Sequence, residues 1–258
     1  MLNMEEYYNK YSIALTGCRA TKLAYECCEY DLIILEDCKE GVEIKEDKYI
    51  EIHKISNDNR YRTLQLYNAV ILNDPSFILS ALKNSLTYDL RLYSRDLLLD
   101  ALLDASKAMT SNGFEASFLL KRAAYNYLNS LLLLNKVIPS PLHILTQLRE
   151  LKVDLTMFYE PLGLERANSS SLIRALDMLY KLINSRLISR KALYLYEIHK
   201  YVDCSLYITY LAIKLAKDGY HDILPSLAIL LDLTNDVQNT ERLASILFKM
   251  CKELMKSY

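Results

Sequence analysis

Glycine and proline are scarce in this 258-residue chain, with five of each, and tryptophan is absent. So few turn-forming residues argue against a β-rich or loop-rich architecture and favour helices. The chain also lacks a charge excess. Thirty-one Lys and Arg stand against 32 Asp and Glu, a net charge of -1, so no global field draws it to nucleic acid. No long apolar run occurs. Leu131–Leu134 is short, and 223–233 is interrupted by Pro225 and Asp232, whereas a bilayer span needs about 20 apolar residues. The start, MLNMEEYYNK, is acidic rather than basic-then-apolar, which is not the pattern of a secretory leader. These readings together give a cytoplasmic protein with no membrane partner. Cys-x-x-Cys pairs are missing as well. Cys18, Cys27, Cys28 and Cys38 lie close in sequence, but without the short ligand spacing of structural zinc they read as free thiols.

Apolar residues make up 52% of the chain, enough for a sizeable core. Residues 4–11 read as a short helix, Ser12–Leu15 as a strand entering the turn Thr16-Gly17, and 18–27 as helical. Tyr30–Leu35 is the strongest strand candidate. In VEIKEDKYIEIHKI, Val42, Ile44, Ile50 and Ile52 alternate with polar residues around Lys45–Lys48, the period of a hairpin. After Asn59 the period becomes helical. Asp74-Pro75 and Ser140-Pro141 are helix starts, and Asn112-Gly113 is a break. Asn168–Ser171 caps the helix carrying Leu172, Leu176 and Leu179, and Asn235 with Gln238 forms a cap before the last helix. The fold class expected is α+β: an α/β domain over 1–58 with about four strands, then an all-helical bundle over 59–258, divided at the polar Ser56–Asn59. Strands are expected only within the first 58 residues.

One constellation carries chemistry. Gly17, in a turn after a strand, lets backbone amides approach phosphate, and Glu29 and Asp31, two apart on a strand, share a face. Gly17-Cys18-Arg19-Ala20 followed by Glu29-Tyr30-Asp31-Leu32 resembles the nucleotidyltransferase fold of the DNA polymerase β superfamily. Its signature is Gly-Ser, about ten residues, then Asp-x-Asp. Small members read Gly-Ser-Arg-Ala-x-Gly and end in Ser-Asp-x-Asp-Leu. Gly17, Arg19, Ala20, Asp31 and Leu32 match in register. Cys18 replaces the serine, Lys22 the second glycine, Cys28 the later serine and Glu29 the first aspartate. The resemblance covers roughly residues 10–55. It implies Gly17, Cys18, Arg19 and Lys22 at the phosphates of a nucleoside triphosphate. It also implies Glu29, Asp31 and a third carboxylate, for which Glu51 is the candidate, holding Mg2+. A following helical bundle fits the kanamycin-nucleotidyltransferase-like and MNT/HEPN arrangements.

Two functions of different class follow: Mg2+-dependent nucleotide binding or transfer, or a non-catalytic scaffold on a degenerate fold, with a homodimer compatible with either. The arginine-to-histidine helix spacing of HEPN ribonucleases is absent. His53, His199 and His221 read as surface or structural residues. Twenty-one tyrosines read as the rim of a helical core, with nucleic-acid binding by Tyr196, Tyr201, Tyr207 and Tyr210 the lesser reading. Arg60, Arg62, Arg91 and Arg95 are a basic cluster whose default role is a solvated helix face.

Overall fold

A computed structural model describes residues 11–35, 40–45, 48–54, 64–183, 185–217 and 219–258. The helix expected at 4–11 (all but its last residue), Cys38, the boundary at Ser56–Asn59, Arg60 and Arg62 lie outside these. The protein is α+β, with a five-stranded N-terminal sheet and ten helices among the described residues. It divides into two compact units, Met1–Leu92 and Tyr93–Tyr258.

In the first unit β1 (Ile13–Thr16), β2 (Tyr30–Ile34), β3 (Gly41–Lys45), β4 (Lys48–Lys54) and β5 (Val70–Asn73) form one sheet in the order β3-β4-β2-β1-β5. All neighbours are antiparallel except β2 and β4, which run parallel. The β3–β4 hairpin falls where alternation placed it. β5 was not expected. It lies beyond residue 58 and adds a strand against β1, so strands are not confined to the segment set off by the change of period. Its edge is tied down by Asn73 Nδ2, which donates to the Tyr11 carbonyl at 2.8 Å.

Period two sorts the sheet's side chains. Ile13, Leu32, Ile34, Ile50 and Ile52 make one buried cluster, with Tyr11, Leu15, Tyr30 and Leu72 packed against it. The alternate positions, Asp31 and Ile33 on β2 and Glu51 and His53 on β4, therefore share the opposite face. Burying the five aliphatic side chains contributes about 1.5–3 kcal/mol each, which fixes the register and with it the polar face.

The segment 18–27 is not a helix. A 3-10 turn at Cys18–Ala20 gives way to further turns. The Arg19 guanidinium holds them, donating to the Cys28 carbonyl at 2.9 and 3.2 Å and to the Glu26 carbonyl at 3.3 Å while lying over the Tyr30 ring. After β5, the Asp74 carboxylate accepts from the Ser80 amide at 2.8 Å and the Ser80 hydroxyl at 2.7 Å in the first turn of α1 (Ile78–Ser85), which begins after Phe77 rather than at Asp74-Pro75.

Helix α2 (Thr87–Ala108) carries the boundary between the units. The second unit continues with α3 (Gly113–Leu134), α4 (Ile144–Glu150), α5 (Thr156–Leu162), α6 (Ser169–Leu182), α7 (Arg186–Glu197), α8 (Tyr201–Leu215), α9 (Leu224–Leu230) and α10 (Val237–Met255). The α6 start is a capping box between Asn168 and Ser171, as expected. The α10 cap shifts by one residue, because Asp236 Oδ1 rather than Asn235 accepts the Asn239 amide.

α3 is the spine of this unit, buried on most of its circumference. Within it Lys121 is buried, and its Nζ donates to the Leu162 carbonyl at 2.6 Å and the Leu231 carbonyl at 3.1 Å. These carbonyls end α5 and follow α9, so one lysine caps two helices. Burial, with the Arg166 guanidinium nearby, pulls the Lys121 ammonium down to about 7. Arg122 next to it forms a two-pronged ion pair with Asp104 of α2.

With so few glycines, four helix ends use other residues in the left-handed conformation. Lys136, Lys152, His199 and Asp232 have φ of 61°, 56°, 58° and 49°. Each is followed by a residue whose amide returns to the helix, as Val153 does to the Leu148 carbonyl at 3.0 Å. A Cβ in this conformation costs roughly 1 kcal/mol. Lys152 is exposed, so Lys152→Gly is expected to stabilise the protein by about 0.5–1 kcal/mol, read as a higher midpoint in chemical denaturation. A lower midpoint would mean that the lysine stem contributes more than the strain costs.

Candidate metal and nucleotide site

The site is built on the polar face of the sheet. Asp31 on β2 and Glu51 on β4 are direct partners in the parallel register, and Thr16 at the end of β1 is the partner of Asp31 on its other side. Thr16, Asp31 and Glu51 therefore form one row across three strands. His53, two residues beyond Glu51, faces the same way. Its Nε2 lies 3.9 Å from Asp31 Oδ1 and 3.7 Å from Glu51 Oε1. Asp31, Glu51 and His53 each offer a ligand atom within 4.8 Å of the others.

Gly17 closes this row. It adopts φ 64° and ψ −155°, a region open essentially to glycine alone. A Cβ there would lie 2.0 Å from Asp31 Oδ2, so the turn backbone rests directly against the carboxylate. Thr16 Oγ1 adds a long contact, donating to the Asp31 carbonyl at 3.3 Å. The turn continues through the Ala20 amide to the Gly17 carbonyl at 3.2 Å and the Thr21 amide to the Cys18 carbonyl at 3.1 Å.

The sequence-derived residues separate into groups. Gly17, Asp31 and Glu51 come together. Cys18 follows Gly17 in the turn and is half-buried. Lys22 is exposed beyond it, while the Arg19 guanidinium is turned into its own loop. Glu29 immediately precedes β2 and is buried, and it is not one of the three residues whose ligand atoms gather there. His53 was read as a surface residue and is instead buried, facing both carboxylates. The signal that could have found it was its i+2 spacing from Glu51 in a strand.

Cys18, Cys27, Cys28, Cys204 and Cys251 form no disulfide. At Cys28 a hydrogen bond with the Cys18 thiol pulls downward, but the Cys27 thiol and burial outweigh it and push Cys28 up to about 12. Burial does the same at Cys204 and Cys251. Such thiols remain protonated at neutral pH and are poor nucleophiles.

The remaining candidates have structural surroundings. His199 is exposed, with Nδ1 at 3.0 Å from the Tyr201 hydroxyl, and His221 is exposed beside the Tyr220 ring. Tyr207 is buried and stacks on Tyr210, and the Tyr196 hydroxyl is 2.8 Å from Ser169 Oγ. Arg91 and Arg95 are exposed on α2. Among the described residues no helix is long and apolar enough to cross a membrane.

The donor set fits a divalent cation: two carboxylates from adjacent strands, partly enclosed, with a turn at one side and an imidazole at the other. Compared with family models and with curated proteins, the chain matches none of them.

Proposed function

We propose that the first unit is a nucleotidyltransferase-like module that binds a nucleoside triphosphate together with a divalent cation such as Mg2+ and transfers a nucleotide from it. The observation that carries this reading is the row of Gly17, Asp31 and Glu51. A turn without a side chain is pressed against one carboxylate, and a second carboxylate is its register partner on the next strand. The triphosphate would lie along the backbone amides of the Gly17–Cys18 turn, which the glycine conformation brings up against Asp31. Asp31 and Glu51 supply negative charge at the point where the phosphates must be neutralised. These two carboxylates would hold a divalent cation, which would supply charge stabilisation for an in-line displacement. Lys22, exposed just past the turn, reaches the outer phosphates, while Arg19 keeps the 18–28 loop in shape for all of these contacts.

The test is a thermal-shift screen of the four ribonucleoside and four deoxyribonucleoside triphosphates with Mg2+ and Mn2+. Ligand at 100 times its Kd adds about 2.7 kcal/mol, a rise of about 5–10 °C for a protein of this size. Asp31→Asn is expected to remove the rise while leaving the unliganded midpoint unchanged or higher, because it relieves carboxylate repulsion. No shift at millimolar concentration with any of the eight would reject the proposal in favour of a scaffold. A shift that survives Asp31→Asn would place the nucleotide elsewhere.

A further inference from the structure

We infer that His53 is a metal ligand, and that Asp31, Glu51 and His53 together form a site for a first-row transition cation such as Zn2+ or Co2+ in preference to Mg2+. The inference rests on Asp31 and Glu51 being metal ligands, as proposed above, and does not require the nucleotide.

Two observations lead to it. The His53 side chain is 10% exposed, on a strand whose next outward position is the half-buried Glu51. A buried imidazole needs a polar partner. Yet Nε2, at 3.9 and 3.7 Å, is beyond hydrogen-bond distance of both carboxylates it faces. An imidazole acting only as counter-charge to two acids would close to about 2.7–2.9 Å on one of them.

The spacing does suit a shared ion. Zinc bonds of about 2.0–2.2 Å put tetrahedral ligand atoms about 3.3–3.6 Å apart. The imidazole–carboxylate separations are only slightly wider, and side-chain rotation is enough to close the gap. The ligand chemistry then selects the ion. Mg2+ takes oxygen donors and keeps its waters, whereas an imidazole nitrogen suits zinc, cobalt and their neighbours. Three protein ligands would leave one position of a four-coordinate ion for a further oxygen ligand.

The measurement is a titration of metal-stripped, reduced full-length protein with Co2+, followed by its visible absorption, and with Zn2+ and Mg2+ by calorimetry. One Co2+ per chain is expected, with bands of a low-coordinate nitrogen–oxygen site. Zn2+ should bind at least tenfold more tightly than Mg2+. His53→Ala should weaken Co2+ and Zn2+ at least tenfold and leave Mg2+ within about twofold. His53→Gln provides the same comparison with the volume kept, should alanine loosen the sheet.

Co2+ affinity equal in wild type, His53→Ala and His53→Gln would overturn the inference. So would intense near-ultraviolet thiolate bands, which would move the ion to the cysteines, and so would no binding. A His53-dependent Co2+ site without any nucleotide shift would leave this inference standing and end the nucleotide reading. A Mg2+-dependent nucleotide shift indifferent to His53, with no His53-dependent Co2+ site, would do the reverse.

Discussion

Lys121→Met is expected to be among the most damaging single substitutions in the second unit, costing about 3 kcal/mol or more and lowering the thermal midpoint by roughly 6–12 °C. The methionine fills nearly the same volume, so packing is kept and the loss is polar. The Leu162 and Leu231 carbonyls, at the ends of two helices, would lose the donor that reaches them from α3. Each buried acceptor left unsatisfied costs about 1–3 kcal/mol.

The pH dependence has a definite sign. The folded value of Lys121 is held down to about 7, while the unfolded chain keeps the ordinary lysine value of 10.5. Between these the unfolded state binds more protons, so wild-type stability gained through this group rises with pH, by at most about 1.4 kcal/mol per unit. A neutral amine still has two hydrogens, one for each carbonyl. The deficit of Lys121→Met should therefore widen from pH 7 to pH 9, measured by chemical denaturation at several pH values. A deficit that narrows over that range would mean that the charged form is the one the helix ends require.

Gly17→Ala should have the other large effect, and it should be felt in both stability and binding. Its backbone conformation costs an L-residue about 1–3 kcal/mol. The added methyl would also have to displace the Asp31 carboxylate, with which it would overlap at 2.0 Å. Asp31 is the register partner of Thr16 and Glu51, so a displaced carboxylate would leave the row these three residues form. A loss of at least 2 kcal/mol in the opening free energy of β1 and β2, read by hydrogen exchange, should accompany loss of metal and nucleotide binding. Full binding by Gly17→Ala would show that the close contact between turn and carboxylate is dispensable.

These contrasts mark what the sequence could and could not reveal. The β3–β4 hairpin was legible because Val42, Ile44, Ile50 and Ile52 alternate with polar residues, a local property of the pattern. β5 was not legible. Val70–Asn73 is four residues long, sits among helices, and is a strand only because β1 offers it an edge. Residues 18–27 have the composition of a helix, but Arg19 spends its guanidinium on the Cys28 and Glu26 carbonyls and holds the loop in turns. Spacing and the resemblance it carries singled out Gly17, Glu29 and Asp31 together, and the structure brings Gly17 against Asp31. That Glu51 would lie beside Asp31 depends on β4 pairing parallel with β2, a tertiary fact no local pattern carries. His53 was hidden for the same reason. Alternation put it on the face of Glu51, but only the strand order shows that this face is the one Asp31 occupies. Lys121 looks like an exposed residue of an amphipathic helix until α5 and α9 bring their carbonyls to it.

Calorimetric titration of the full chain with a nucleoside triphosphate, with and without Mg2+, tests the nucleotide-binding reading most directly. One site per chain is expected, strengthened by the cation because carboxylates and phosphates repel in its absence, and lost in both Asp31→Asn and Glu51→Gln. Binding that is independent of divalent cation, or that persists in Asp31→Asn, would contradict the assignment of Gly17, Asp31 and Glu51 as the nucleotide site.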